Sequence, residues 1–331
     1  QLNRKQNKSK LIIADAANGS TKMIQEESDD AWVDLFQLGN PYAIDYINNF
    51  SFLEETNSIL WASEKDGWRH LYQLSLEGKP EVLITKGEFD VIDLKHINSK
   101  EGYVYYLASP DNATQKYLYK TKLNGKGKNE LLSPEGFKGT HDYSFSSNGK
   151  YAEHTFTNHF TPSTKEFITV SNQKTLSEKE SNAFNINKLE EKPTTEFFTI
   201  TTTDNIEMDG WMVKPTNFDP TKKYPVVFFV YSEPARTTVN DTYTAGRNRF
   251  YNGNMADDGY IYISLDNRGT PAPKGREWRK SIYKKIGVVN INDQAMAAKE
   301  ILKWDFVDPE RVAVWGHSGG GSATLNLMFR Y

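Results

Sequence analysis

An all-β half built from repeats, followed by a doubly wound α/β sheet, is the fold class this sequence predicts. Three observations carry it. Short period-2 segments bounded by turn residues fill the first 180 residues, and two stretches recur at a period of about 46. Beyond residue 193 the apolar runs become continuous and alternate with helix-compatible segments.

Leu11–Ala14, Ile59–Ser63, Leu71–Leu76, Val104–Ala108, Leu118–Leu123 and Phe167–Val170 each lie between Gly, Asn, Asp, Ser or Pro turns. They are expected as short antiparallel strands. The stretch Ile59–Gly87 aligns with Val104–Gly136, Ser63 on Ser109 and Leu71 on Leu118, and Tyr151–Val170 is a weaker third copy. Two similar hairpins in another all-β domain would give the same spacing. A four-stranded propeller blade explains it physically, because one blade cannot bury both faces and must stack on the next. Residues 1–180 would hold about four such blades. Leu11 begins in mid-pattern, so upstream blades are expected outside the chain.

Leu176–Pro193 is polar and charge-rich with neither period, and is expected as a linker dividing residues 1–185 from 186–331. After it, Phe197–Thr202 and Met208–Lys214 have the pattern of edge strands. Tyr224–Val230 and Tyr260–Asp266 are apolar throughout, as strands covered on both faces are. Asn292–Trp304 is expected as a helix with an apolar stripe of Ala295, Ala298, Ile301 and Leu302 and a start at Asn292 or Asp293. A turn at Val307-Asp308-Pro309, a strand at Arg311–Trp315 and a helix at Ser322–Phe329 complete the strand–helix alternation.

Composition narrows the function. Lys plus Arg number 40 against 43 Asp plus Glu, a net charge of −3, so no field draws nucleic acid or an anionic membrane. Cysteine is absent, which removes thiolate nucleophiles, thiolate zinc sites and iron–sulfur clusters. Neither a metal-ligand spacing, a phosphate loop nor a dinucleotide fingerprint occurs, so no metal and no cofactor is expected. No run approaches the roughly 18 apolar residues of a membrane span. Gln1–Lys10 lacks the apolar core of a signal peptide. The chain opens without Met and is expected to be a processed or cut product.

Chemistry concentrates at Gly316-His317-Ser318-Gly319-Gly320. A G-x-S-x-G between a strand and a helix forms a turn tight enough to require minimal neighbours. It exposes the serine Oγ and aims the next backbone N–H at a developing oxyanion. Ser318 is therefore the candidate nucleophile and the Gly319 N–H one oxyanion donor. A glycine-rich turn whose serine only caps a helix is the plain alternative.

VAVWGHSGGG (Val312–Gly321), KKYPVVFFVYSEPA (Lys222–Ala235), LDNRGTP (Leu265–Pro271), Lys284–Gln294 and FVDPERVAVWG (Phe306–Gly316) together resemble the prolyl oligopeptidase superfamily, most of all its dipeptidyl peptidase IV branch. In the β half, DGWRHLYQL (Asp66–Leu74) and ITKGEFDVID (Ile84–Asp93) resemble blades of that family. The resemblance implies a partial β-propeller followed by a partial α/β-hydrolase. It implies a serine exopeptidase acting on peptide substrates, an exported location, and a homodimer for the full-length protein. It also casts the Tyr231 phenol as the second oxyanion donor and Arg268 as a brace for its loop.

The chain departs from the family twice. His317 and Gly319 flank the serine where Trp and Tyr are usual, which removes an aromatic wall from the pocket for the residue before the cut. The tyrosine loop reads Tyr-Ser-Glu-Pro, so Glu233 sets a carboxylate beside the oxyanion site. All six histidines, His70, His96, His141, His154, His159 and His317, precede Ser318, whereas a hydrolase of this type has its acid and base after the serine. The triad Asp and His are thus expected beyond Tyr331. Glu26-Glu27 and Glu54-Glu55 are read as surface charges, and the family's amine-gripping glutamates as lying upstream. A catalytically silent peptide-binding scaffold and an acylaminoacyl peptidase or esterase on the same fold remain the other readings.

Overall fold

The computed structural model describes residues 1–34, 50–177, 180–181, 195–248 and 250–331. Among the described residues four antiparallel sheets occupy the first half. The first pairs β1 (Lys8–Ala14) with β2 (Thr21–Ser28). The second runs β3 (Phe50–Leu53), β4 (Ser58–Ser63), β5 (His70–Ser75), β6 (Val82–Leu83), and the third β7 (Val91–Asn98), β8 (Tyr103–Ala108), β9 (Tyr117–Lys122), β10 (Glu130–Leu131). The fourth holds β11 (Thr140–Phe145), β12 (Tyr151–Thr157), β13 (Thr164–Thr169) and β14 (Lys174–Thr175), with β15 (Glu180–Ser181) also on β13. The second and third are four-stranded meanders in chain order, the arrangement of propeller blades, and the fourth follows the same order through β14.

The side chains show why the unit repeats. On β4, Leu60 and Ala62 pack toward Val104, Tyr106 and Ala108 of the next blade, while Ile59 and Trp61 turn back toward Leu11 and Ile24. On β8 the other face, Tyr105 and Leu107, meets Tyr143, Ala152 and Ile168 of the fourth blade. Successive residues thus bury in opposite directions, and each blade core is completed only by its neighbours.

The described residues of the second half form one five-stranded sheet of β16 (Thr195–Thr201), β17 (Glu207–Val213), β18 (Tyr224–Phe229), β19 (Ile261–Leu265) and β20 (Val307–Trp315), in the order β16-β17-β19-β18-β20. The first two are antiparallel additions, and β18 pairs parallel with both β19 and β20. Ile261, Ile263 and Leu265 face Ala297 and Ile301 of the helix α2 (Val289–Ile301). Tyr262 and Val227 face Val239, Ala245 and Ala256 on the opposite side. Burial on both faces explains the unbroken apolar runs.

Several expectations are corrected. Strand β17 lies between β16 and β19 and is no edge. Helix α2 starts at Val289, before Asn292 and Asp293, with Val288 at its N-cap and no side-chain cap; Asn290, already in the first turn, accepts from the Gly287 N–H at 2.8 Å, and Asp293 is committed to an arginine. Val307-Asp308-Pro309 lies within β20, as an irregularity between the Tyr224–Val307 and Val226–Val312 pairs. Helix α3 (Gly319–Arg330) begins immediately after the elbow serine. The expected linker and the boundary at residue 185 fall mostly outside the described residues.

A helix that the sequence reading lacks, α1 (Gly275–Lys280), joins the halves. Arg279, 5% exposed, forks between Glu64 at 2.7 Å and Asp90 at 2.5 Å. Lys280 contacts Glu64 and Asp29, and Arg276 pairs with Asp29 at 2.7 Å. The backbone contributes too: Gly275 N–H donates to Asp90 and Arg276 N–H to the Gly67 carbonyl. Burial pushes the Asp90 carboxyl up, and the charge and hydrogen bonds of Arg279 more than offset this, leaving it below the usual carboxylate range. At a second contact, Asp241 accepts from the His159 N–H and Gln115 at 2.8 Å each.

Candidate active site

The chain passes from β18 to β19 on one side and later to β20 on the other, so the sheet order reverses at β18. A crevice at the carboxyl ends of the strands belongs at such a reversal. Tyr231 follows β18 there, and Ser318 follows β20, held alongside by the Val230 N–H donating to the Trp315 carbonyl at 3.0 Å.

Ser318 is exposed and adopts φ 58°, ψ −121°, a strained conformation for a side-chain-bearing residue. The glycines around it explain how the strain is held. A Cβ on Gly316 would lie 2.3 Å from the Val230 carbonyl oxygen, and one on Gly320 would lie 2.1 Å from the same atom. Both glycines thus press the elbow against the strand that delivers Tyr231. Ser318 stands at the N-cap of α3, yet its side chain makes no capping hydrogen bond. The N–H groups of Gly320 and Gly321 are taken by the His317 and Ser318 carbonyls. Among the described residues that of Gly319 has no acceptor, so it points from the positive end of α3 with a free donor.

Tyr231 is half-buried, its ring 5.6 Å from the Arg236 guanidinium, and its hydroxyl makes no hydrogen bond among the described residues. The next residue, Ser232, is buried at φ 71°. Its carbonyl accepts from Asn290 Nδ2 at 2.8 Å and Asn267 Nδ2 at 3.5 Å. Gln294 in turn donates to Asn267 at 2.9 Å and to the Leu265 carbonyl at 2.8 Å. Arg268 grips Asp293 through Nε at 3.0 Å and Nη2 at 2.7 Å, the bracing role the resemblance implies. Asp266, at the end of β19, receives the Thr238 and Val239 N–H groups. Burial pushes its carboxyl up to about 6, the hydrogen bonds offsetting only part of the effect.

The amides Asn267, Asn290 and Gln294 escaped the sequence reading. A signal existed: Asn290, Asp293, Gln294, Ala297 and Ile301 recur at helical spacing, so the buried face of α2 begins polar and turns apolar. Glu233 bends over the elbow, and a Cβ on Gly319 would lie 2.3 Å from its Oε2. The two departures from the family pattern therefore occupy one place.

The histidines of the β half have other partners. His70 bonds Asp66 at 2.8 Å, His141 bonds His154 at 2.9 Å, and His154 bonds Glu166 at 3.1 Å. His96 stacks on Phe145 and His159 bonds Asp241. His317 lies against Phe250 with ring centroids 6.0 Å apart. Glu27 is not the surface charge expected of it, for it accepts from Ser63 at 2.7 Å and Trp61 at 3.4 Å across two blades. Glu26 is exposed beside Lys10, and Glu54 and Glu55 are exposed. No helix among the described residues is long and apolar enough to cross a membrane, and none of their side-chain clusters could hold a metal ion.

Two family models match the chain. One described as the dipeptidyl peptidase IV N-terminal region matches residues 1–163, and one described as the prolyl oligopeptidase family matches residues 249–330. A dipeptidyl peptidase 4 of Trichophyton rubrum is 29% identical over 99% of this chain and 41% of its own length. The crystal structure of Porphyromonas gingivalis dipeptidyl peptidase 4 superposes with a TM-score of 0.86 at 30% identity, over 99% of this chain and 44% of that one. The chain spans about two-fifths of the length of the curated relatives it matches.

Proposed function

Because the chain belongs to the prolyl oligopeptidase family, in its dipeptidyl peptidase IV branch, we propose that the intact protein is a serine exopeptidase releasing N-terminal dipeptides. Ser318 Oγ attacks the carbonyl carbon of the second residue and passes its proton to a base. The carbonyl oxygen becomes an anion between the Gly319 N–H and the Tyr231 phenol. Collapse breaks the C–N bond, and the amine leaves with the proton. Water then hydrolyses the ester on Ser318 by the same steps. In this reading the base and its carboxylate belong to sequence beyond Tyr331, and the grip on the substrate amine to sequence upstream of Gln1.

The observation that supports this most is the exposed, strained Ser318 beside a Gly319 N–H that has no acceptor among the described residues. The test is turnover of Ala-Pro p-nitroanilide by the intact protein. Ser318→Ala is expected to lower kcat by about 10⁴-fold or more, and Tyr231→Phe by about 10²–10³-fold. A wild-type protein inert toward dipeptide anilides would overturn the proposal, and faster turnover of N-acetylated substrates would favour an acylaminoacyl peptidase. The same reading includes a homodimer and an exported location, which gel filtration and cell fractionation check.

A further inference from the structure

Glu233 is the unused group in the site. Its carboxylate fills the space a side chain at position 319 would need: a Cβ there would lie 2.3 Å from both Cδ and Oε2. The loop that delivers it is fixed. Ser232 sits at φ 71° with its carbonyl held by Asn290 and Asn267, which are 2% and 0% exposed. Pro234 restricts the backbone on the other side. Among the described residues the Glu233 carboxylate has neither a hydrogen bond nor an ion pair. Arg236, three residues on, faces the Tyr231 ring instead. The N-terminal end of α3 offsets part of its charge, which lets the carboxylate stand there without a cation.

Such a charge cannot be neutral toward the reaction. The transition state carries an oxyanion at the Gly319 N–H, and a carboxylate on the same residue's Cα face opposes it unless a cation lies between them. We propose that Glu233 is a specificity-determining residue that binds an organic cation, an ammonium or guanidinium, on the acyl side of the substrate. The proposal rests on Ser318 as nucleophile. A cation there is held more tightly in the transition state than in the ground state, so it raises kcat as well as lowering KM. Two parts of a peptide could supply it: a basic side chain on the residue before the cut, which leaves the α-amine to the upstream grip, or the free α-amine, in which case Glu233 takes the place of that grip.

The experiment uses the intact protein and dipeptide p-nitroanilides with lysine or isosteric norleucine before the scissile bond, each with a free or an acetylated amine. Ratios of kcat/KM are compared in wild type, Glu233→Gln and Glu233→Asp. Where the side chain is the source, Glu233→Gln is expected to cut the lysine-to-norleucine ratio by about tenfold, largely in kcat, and Glu233→Asp to restore most of it. Where the α-amine is the source, the free-to-acetylated ratio falls instead. Gly319→Ala, whose methyl group displaces the carboxylate, is expected to move the same ratio the same way and serves if Glu233→Gln does not fold. Equal ratios in wild type and both variants overturn the proposal and leave Glu233 as a charge on α3. If no anilide is turned over and a fluorophosphonate leaves Ser318 unmodified, the nucleophile assignment fails and this proposal with it. An adduct on Ser318 with unchanged ratios removes only the role of Glu233.

Discussion

Gly316 and Gly320 face one atom, the Val230 carbonyl oxygen, and this places the elbow against the tyrosine loop. Gly320→Ala forces a methyl group into backbone that cannot yield. It is expected to destabilise the protein by about 3 kcal/mol, read as a fall in urea midpoint. Gly321→Ala meets nothing closer than the Gly316 carbonyl at 3.4 Å and is expected to stabilise α3 by up to about 1 kcal/mol. Equal losses at both positions would refute this steric account. The G-x-S-x-G was legible because its demand is local, a turn and small neighbours. The pairing of Glu233 with Gly319 was legible only as two separate departures, since their contact joins segments remote in sequence.

Asp266 titrates near 3.8 when unfolded and about 6 in the folded protein. Between those values the folded state holds a proton that the unfolded state has lost. Its contribution is therefore full below about pH 4, falls as the pH rises to about 6, and is flat above. His141, held down at about 4 by burial, runs the opposite way over an overlapping window. The check is thus the stability gap between wild type and Asp266→Asn, which is expected to move against wild type as the pH rises from 4 to 6. A gap independent of pH would contradict the raised carboxyl.

At the scale of elements, the strands were legible and the short helix was not. Ile59–Ser63 and Val104–Ala108 fall within β4 and β8, because alternating burial toward two neighbours writes itself into the residue pattern. Helix α1 reads Gly-Arg-Glu-Trp-Arg-Lys, and its buried residues are Gly275, Arg279 and Lys280. Cations count as solvent-facing in any hydropathy pattern, and their acids, Asp29, Glu64 and Asp90, lie in the other half of the chain. Removing one partner of a buried ion group strands the rest. Arg279→Ala is expected to cost about 3–5 kcal/mol, and Arg279→Lys to recover less than half of this, since an ammonium cannot fork between two carboxylates. Denaturant titration measures both, and a loss below about 1 kcal/mol for Arg279→Ala would mean that water already reaches the network.

Across the whole molecule, the two family-like stretches of the β half gain a physical meaning. Asp66–Leu74 and Ile84–Asp93 contain Gly67, Arg69 and Asp90, which engage or adjoin α1. The propeller is thereby tied to the segment that follows the Asn267–Arg268 loop. Hydrogen exchange in Arg279→Ala is expected to rise in Ser58–Ser75 as well as in α1 while β12 and β13 stay protected; a rise confined to α1 would show that the halves are not coupled through it. The proposed chemistry requires Ser318 to be a reactive nucleophile. Its most direct test is exposure of the intact protein to a fluorophosphonate, followed by mass mapping of the adduct. One adduct per chain on Ser318, absent in Ser318→Ala and slowed in Tyr231→Phe, is the expected result. An unmodified Ser318 under conditions that label a known serine hydrolase, or an adduct on another residue, would contradict it.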